Sequence, residues 1–263
     1  VIPDTIDVNG DGLSVRGRAG GQVFHVFYKL ASQEEQTYVQ ERTDLVQLEI
    51  DAEVCQPAGQ RNFNGFDYQA YLKTQGIYRT VKISTINNIL PIHSWNIFDW
   101  LSTWRRQALV YIKSHFPAPM SHYMTGLLLG ELDSDFDQMS DLYSSLGIIH
   151  LFALSGMQVG FFIDKFRWLL LRLGLTKETV DKLQIPFSLV YAGLTGFSVS
   201  VVRSLVQKIL GNLGLRKLDN FAATVFVCLL LMPRFLLTTG GVLTFTYALL
   251  LTVFDFEELR QLK

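Results

Sequence analysis

Cysteine is scarce in this chain, and its charge is nearly balanced. The 263 residues include only Cys55, in a polar stretch, and Cys228, inside an apolar run, so no disulfide framework is expected. The formal net charge of −1 leaves no excess of Lys and Arg, which removes any whole-chain argument for nucleic-acid binding. The first residues lack the basic stretch and short apolar segment of a signal peptide. Because the chain begins with Val1, we expect it to be part of a longer protein.

Clustered metal ligands are missing as well. The five histidines stand far apart in the sequence. The acidic stretch from Glu131 to Asp137 places Gln138 and Ser144 where an EF-hand loop starting at Asp133 needs Gly and Glu. The sequence therefore predicts no metal site, no cofactor and no catalytic residue.

Three long runs nearly or entirely lack charged residues, in contrast to the first half of the chain. Residues 142–163 and 183–202 contain no Asp, Glu, Lys or Arg, and residues 221–254 contain only Arg234. A bilayer core of about 30 Å is crossed by about 20 apolar residues in a helix. We therefore predict an α-helical multipass transmembrane domain over residues 119–263, against the alternative of a buried helical core.

Residues 1–88 show the alternating pattern of short strands. Apolar residues alternate with polar ones in four runs bounded by Gly and Asn, and a helix over 67–73 is stopped by Gly76. Short strands with one intervening helix favour a small OB-like β-barrel. The fold class predicted for the whole chain is therefore mixed: a small OB-like β-barrel domain followed by the multipass helical domain.

Residues 89–118 connect these two predicted domains. Apolar residues recur there at helical spacing, and Trp95, Trp100 and Trp104 gather at the beginning. Tryptophan and basic residues on an amphipathic helix favour the lipid headgroup layer. The alternative is a helix that packs against the barrel.

Four segments resemble the ComEC competence family of membrane channel proteins. The run from Gly147 to Gly160 matches the family signature at His150, Ser155, Gly156, Val159 and Gly160, with Gln158 where a second histidine is usual. The remaining three segments occur in the family's order: 64–77 resembles the end of its extracytoplasmic OB-like domain, 126–132 the segment before the signature, and 195–204 its polar turn into an S-x-x-R helix.

This resemblance implies a part in DNA uptake. Family members carry single-stranded DNA through the inner membrane during natural transformation, with the OB-like domain outside the cytoplasm. The implied partners are single-stranded DNA, the lipid membrane, other competence proteins and a second copy of the chain. The metallo-β-lactamase-like domain of many members has no counterpart here, so no enzyme activity is expected. The alternatives are a multipass transporter or scaffold for another cargo, and a membrane-anchored OB-like interaction module.

Polar residues inside the apolar runs are the candidates for a transport path. His150, Ser155 and Gln158 are expected to face a bundle interior or an aqueous path, while local hydrogen bonding within helix packing is the alternative. Gly156 and Gly160 form a small-x-x-x-small pair that allows a neighbouring helix to approach.

Charged and aromatic residues supply the remaining candidates. Arg203, with Lys208 five positions on, is either a fixed positive charge for phosphates or an anchor to headgroups. In the barrel, a stacking platform for single-stranded DNA would use aromatic and basic side chains. Residues 1–88 carry 11 acidic and 8 basic side chains, which favours the barrel core for these aromatics. The residues of that platform are Arg16, Arg18, Phe24 and Tyr28.

Overall fold

The chain forms two compact units with separate apolar cores. The structure, a computed structural model, describes residues 1–60, 62–63, 65–131, 145, 156–234 and 238–254. Unit 1 covers Val1–Ala153, and unit 2 covers Leu154–Lys263. The core of unit 1 lies on a β-sheet, and that of unit 2 lies between helices. The predicted boundaries at 88 and 118 remain predictions.

Unit 1 contains one five-stranded sheet with the order β1-β2-β3-β5-β4. Neighbouring strands are antiparallel except for β3 and β5, which are parallel. Gly20 and Gly21 join β2 to β3 with φ angles of 56° and 76°. Positive φ at both turn positions is the condition for a tight two-residue hairpin, and glycine meets it without steric cost. The strands are β1 Asp7–Asn9, β2 Gly12–Ala19, β3 Gln22–Lys29, β4 Val46–Cys55 and β5 Thr80–Pro91.

The alternating sequence pattern correctly predicts the main strands. Val15, Val26 and Val81 come from three neighbouring strands and together form the buried centre of the sheet. Their immediate sequence neighbours point to the other face, because successive side chains alternate across a strand. The period-two interpretation is therefore confirmed for β2, β3, β4 and β5.

The OB-like barrel is not confirmed. In the described residues the sheet has two edges, β1 and β4, that do not pair with each other. With only three residues, β1 offers too short a ladder to close the sheet. The chain start lies in this gap, where the amino group of Val1 donates to the Val46 carbonyl at 2.8 Å and Ile2 N–H donates to the Arg16 carbonyl at 2.8 Å.

Four α-helices accompany the sheet in the described part of unit 1. Sequence spacing correctly predicts α2 and α3, whereas α1 buries no residue and so gives no apolar periodicity to detect. Asn96 starts α3 by accepting a hydrogen bond from Phe98 N–H at 3.0 Å, as an N-cap should. The helices are α1 Gln33–Glu41, α2 Tyr68–Thr74, α3 Ile97–His115 and α4 Ala118–Met124, which runs into a π-helical turn at Thr125–Leu129.

Two adjacent buried arginines hold α3 in unit 1. Arg105 pairs with Asp4 at 3.1 Å and with Glu131 at 2.6 Å. Arg106 donates to four backbone carbonyls, and three of them belong to the end of α1, where helix carbonyls have no partner within the helix. These acceptors are Val39 at 3.2 Å, Gln40 at 2.8 Å and Arg42 at 3.0 Å, with Ile6 at 3.2 Å as the fourth.

The described residues of unit 2 form helices joined by short connections, with no strand among them. Val159 and Ile163 pack with Ala192, Val201 and Leu205, which joins three helices in one buried cluster. A second cluster around Cys228 and Phe245 joins the following two helices. The helices are α5 Gly156–Arg172, α6 Lys177–Leu194, α7 Val199–Asn212, α8 Lys217–Leu231 and α9 Thr239–Val253.

The predicted multipass transmembrane domain is wrong. Among the described residues, no helix joins the length and the apolar character that a bilayer crossing requires. The reason is that runs without charge do not coincide with helices. The run 183–202 is divided between α6 and α7 by Gly196 and Phe197, whose φ angles are 70° and 53°.

The other runs do not supply a crossing helix either. The run 221–254 is divided between α8 and α9. The 15 residues of α9 extend about 22 Å, short of a hydrocarbon core of about 30 Å. Most of the run 142–163 lies outside the described residues.

Candidate functional site

Arg203 lies near the middle of α7 and is held by three neutral side chains. Its Nε donates to Thr244 Oγ1 on α9 at 2.9 Å. Its two terminal nitrogens donate to Gln207 Oε1 at 2.8 Å and to Ser204 Oγ at 3.2 Å. Because Gln207 lies one turn after Arg203 on the same helix, and Thr244 comes from a packed neighbour, the guanidinium is fixed from two helices.

The charge of Arg203 has no acidic partner in the described part of unit 2. The side chain is half-buried, and this burial lowers the pKa of the Arg203 guanidinium below its ordinary value. An arginine nevertheless keeps its proton at neutral pH. A half-buried cation that touches only neutral acceptors favours a nearby anion, because an anion offsets the cost of removing the charge from water.

The neighbouring cations of unit 2 differ from Arg203. Lys208, which the sequence analysis named beside Arg203, pairs through its ammonium with the Asp164 carboxylate on α5. Arg167 pairs with Asp181 on α6 and donates to Gln184 Oε1 at 3.3 Å. Among these three cations, Arg203 is therefore the one without a carboxylate partner in the described residues.

The polar set predicted in the signature run is only partly described. His150 and Ser155 lie outside the described residues. Gln158 lies in the first turn of α5 and is half-buried. A transport path lined by these three side chains therefore remains a prediction.

The glycine pair Gly156 and Gly160 lies at the beginning of α5. A Cβ added at Gly160 would meet no described atom within 4 Å outside the helix itself. The described helices of unit 2 therefore do not use Gly160 for close approach. The packing role of the pair remains a prediction.

The four residues predicted for a DNA platform do not share one surface. The register pairs Gly17 with Phe24 and Arg16 with His25, so Phe24 and Tyr28 lie on one face of the sheet and both arginines on the other. Phe24 packs against the buried centre of the sheet. Arg16 donates to Gln75 Oε1, and Arg18 pairs with Asp99 at 2.8 Å. Their contact with DNA remains a prediction.

Sequence reasoning missed the partners that hold the arginines in place. Gln207 was detectable, because it stands four residues after Arg203 on a predicted helix. Thr244 could not be detected from the sequence. It lies 41 residues after Arg203, and only the packing of α7 on α9 brings the two side chains together. Arg105 and Arg106 gave no signal of burial, since two adjacent charges are typical of a solvated helix face.

Comparison with known proteins identifies the family. Residues 127–262, which include Arg203 and all of α5 to α9, match the model of the family described as Competence protein. The chain belongs to this family. The membership inferred from the ComEC-like signature is thereby confirmed.

A curated relative extends this similarity into unit 1. The chain is 27% identical over 203 residues to "ComE operon protein 3" of Bacillus subtilis (strain 168). The alignment covers 74% of this chain and 26% of the relative, so the chain spans about a quarter of that protein's length. No solved structure matches.

Proposed function

We propose that this competence protein takes part in DNA uptake, as a section of a channel at the cell membrane that passes single-stranded DNA during natural transformation. Its work is transport and not bond chemistry. The observation that carries the proposal is the half-buried Arg203, whose contacts in the described residues are all neutral. The family match over residues 127–262 supports the competence role.

The guanidinium of Arg203 is suited to a phosphate group. An arginine has five N–H donors, and the described residues engage three of them. The remaining two donors can meet two phosphate oxygens in the fork geometry that arginine favours. A hydrogen bond to a charged group contributes about 1.5–3 kcal/mol, enough to hold a phosphate briefly.

A transport site must also release what it binds. Conduction requires binding that is favourable enough for entry and weak enough for exit. A single cation among neutral side chains meets this requirement better than a cluster of cations does. It holds one phosphate at a time, so the strand can release that phosphate and move on to the next. His150, Ser155 and Gln158 would supply further polar contacts along the path.

The position of α3 supports a location at the membrane. Trp100, Trp104 and Tyr111 lie along one stripe of α3 and are 45%, 45% and 58% exposed. The two indole rings contact each other with centroids 4.1 Å apart. Indole and phenol rings favour the lipid headgroup layer, so we place this stripe there, with unit 1 outside the cytoplasm.

The proposal also names further partners. Other competence proteins would deliver the strand to the chain and receive it. A second copy of the chain would have access to Gly160, where a helix could approach without meeting a described side chain.

The test replaces Arg203 in the full-length protein of a competent host. Arg203→Ala should lower transformation by at least tenfold, because one charged contact per phosphate is lost. Labelled DNA should still reach the cell surface, and Arg203→Lys should restore part of the activity because the charge returns without the fork. Transformation and DNase-resistant uptake are measured together with protein abundance in membranes.

Lys182→Ala is the matched control, since Lys182 is an exposed cation on α6. It should transform normally. Normal uptake by Arg203→Ala at normal abundance would remove Arg203 from the path and leave the proposal without its main support.

A further inference from the structure

Four side chains on the exposed face of α5 alternate between aromatic rings and cations. Phe161, Lys165, Trp168 and Arg172 follow one another at intervals of four, three and four residues. At 100° per residue this spacing places all four within a narrow arc of the helix surface. We call this line the α5 stripe. It lies within the residues that match the competence family.

The cations of the α5 stripe rest against its rings. Lys165 Nζ lies 5.5 Å from the centroid of Phe161 and 5.8 Å from that of Trp168. The guanidinium carbon of Arg172 lies 5.4 Å from the Trp168 centroid. Cation–π contacts of this length order the side chains without neutralising their charge. Phe161 and Trp168 remain 57% and 54% exposed.

Carboxylates near the stripe are already used by other cations. Asp164, adjacent to Lys165, pairs with Lys208 on α7. Asp181 on α6 pairs with Arg167. Within the described residues neither Lys165 nor Arg172 forms an ion pair, so the stripe presents two positive charges to solvent between two exposed rings.

These features match the needs of a nucleic-acid single strand. Proteins that bind single strands without sequence preference combine rings that stack on bases with cations that follow the phosphates. Phe161 and Trp168 are seven residues apart, or about 10.5 Å along the helix. This separation corresponds to about three steps of a stacked strand at about 3.4 Å per nucleotide.

We propose that the α5 stripe is a binding site for single-stranded DNA, in which Phe161 and Trp168 stack on bases and Lys165 and Arg172 contact phosphates. This inference rests on the proposed function and adds a second contact, on a different helix from Arg203. The stripe needs no base-specific hydrogen bond, which fits a protein that must accept any sequence.

Binding of a fluorescent oligothymidylate of about 20 nucleotides to the purified full chain in detergent tests the proposal. The double variant Phe161→Leu and Trp168→Leu keeps apolar side chains and removes the rings. We expect its affinity to fall by at least tenfold, since each stacked base contributes to binding. The double variant Lys165→Gln and Arg172→Gln should weaken binding and make the slope of log affinity against log salt shallower by about 1.4.

Two controls separate the stripe from general charge and from lipid. Lys182→Gln removes an exposed cation from α6 and should leave affinity within about twofold, the change expected of one distant, screened charge. Leu169→Gln with Leu171→Gln removes exposed leucines on either side of the stripe and should also leave DNA binding unchanged. Thermal unfolding of each variant confirms that the fold is retained.

Three outcomes would overturn the proposal. The ring variant could bind the oligonucleotide as well as the unchanged chain does. Lys182→Gln could weaken binding as much as the loss of both stripe cations. The unchanged chain could fail to bind the oligonucleotide and bind vesicles of phosphatidylglycerol and phosphatidylcholine through Leu169 and Leu171. The exposed face of α5 would then be a lipid contact.

Failure of this inference is distinguishable from failure of the proposed function. If Arg203→Ala abolishes transformation while the ring variant binds DNA and transforms normally, the channel role stands and the stripe is excluded. If deletion of the whole gene leaves transformation intact, the proposed function fails whatever the oligonucleotide does.

Discussion

Unit 1 and unit 2 each place arginine away from water, but they treat its charge differently. In unit 1, Arg105 meets two carboxylates and Arg106 meets four backbone carbonyls. In unit 2, Arg203 meets only neutral side chains in the described residues, and two of its donors are not engaged there. Buried charges in proteins are normally paired and fully hydrogen-bonded. The first arrangement stabilises a fold, and the second leaves two donors of Arg203 without a partner in the described residues, as the proposed phosphate contact requires.

The largest expected difference between the two units is in stability after one arginine is removed from each. Arg106→Met leaves four carbonyls without their donor and should lower the free energy of unfolding of unit 1 by about 3–5 kcal/mol. Arg203→Met should change that of unit 2 by about 1 kcal/mol or less, since its partners are half-buried and can meet water. Urea unfolding of each variant supplies the measurement. Tryptophan fluorescence reports mainly on unit 1, which holds Trp95, Trp100 and Trp104.

Equal losses in the two variants would contradict the comparison. Arg18→Met is the control within unit 1, because Arg18 forms an ion pair with Asp99 while almost half of its side chain stays exposed. Exposed pairs contribute about 0–1 kcal/mol, so this variant should unfold almost normally.

The carboxyl group of Glu131 should make the stability of unit 1 depend on pH. Burial raises the pKa of the Glu131 carboxyl above its ordinary value of 4.5, and the opposing effect of Arg105 does not cancel this increase. The folded state therefore keeps its proton at pH values where the unfolded state has lost it. Stability should fall as pH rises from the ordinary value through the raised one.

Glu131→Gln tests that pH dependence. The variant should be less pH-dependent across the window just above pH 4.5, because the neutral amide has no proton to lose. Urea midpoints measured over a pH series give the result. An unchanged slope would show that other groups cause the pH dependence of unit 1.

The smallest expected effects are stability changes at two glycines of unit 2. Gly160 is helical and faces open space, so Gly160→Ala should stabilise unit 2 by about 0.5–1 kcal/mol. Gly196 has a φ of 70°, so Gly196→Ala should destabilise it by about 1 kcal/mol. Thermal unfolding distinguishes the two signs. A loss of stability at Gly160 would reveal close packing on that glycine, as the sequence pattern predicted.

The sequence was informative where local pattern decides the structure. Alternation around Val15 and Val26 located the strands, and helical spacing located α3. The sequence was misleading where the length of a helix decides whether it can cross a membrane. The run 183–202 lacks charge, but Gly196 and Phe197 divide it between two helices.

The candidate site shows the same limit. Arg203 stood out as a charge within an apolar run, but its neutral surround depends on Thr244, and only the packing of α9 on α7 brings that residue near. The α5 stripe was present in the sequence at helical spacing. Only the structure shows that Asp164, the carboxylate next to Lys165, pairs with Lys208, and that neither cation of the stripe forms an ion pair within the described residues.

The hydrogen bonds of Arg106 have a consequence for the order of folding. They join residues that are 64 to 100 positions apart, and they complete the end of α1. Contacts of such separation form late, because a long loop must close first. During synthesis at about 5–20 residues per second, α1 is made several seconds before Arg106 emerges. The end of α1 therefore stays incompletely capped until α3, which carries Arg106, has been synthesised.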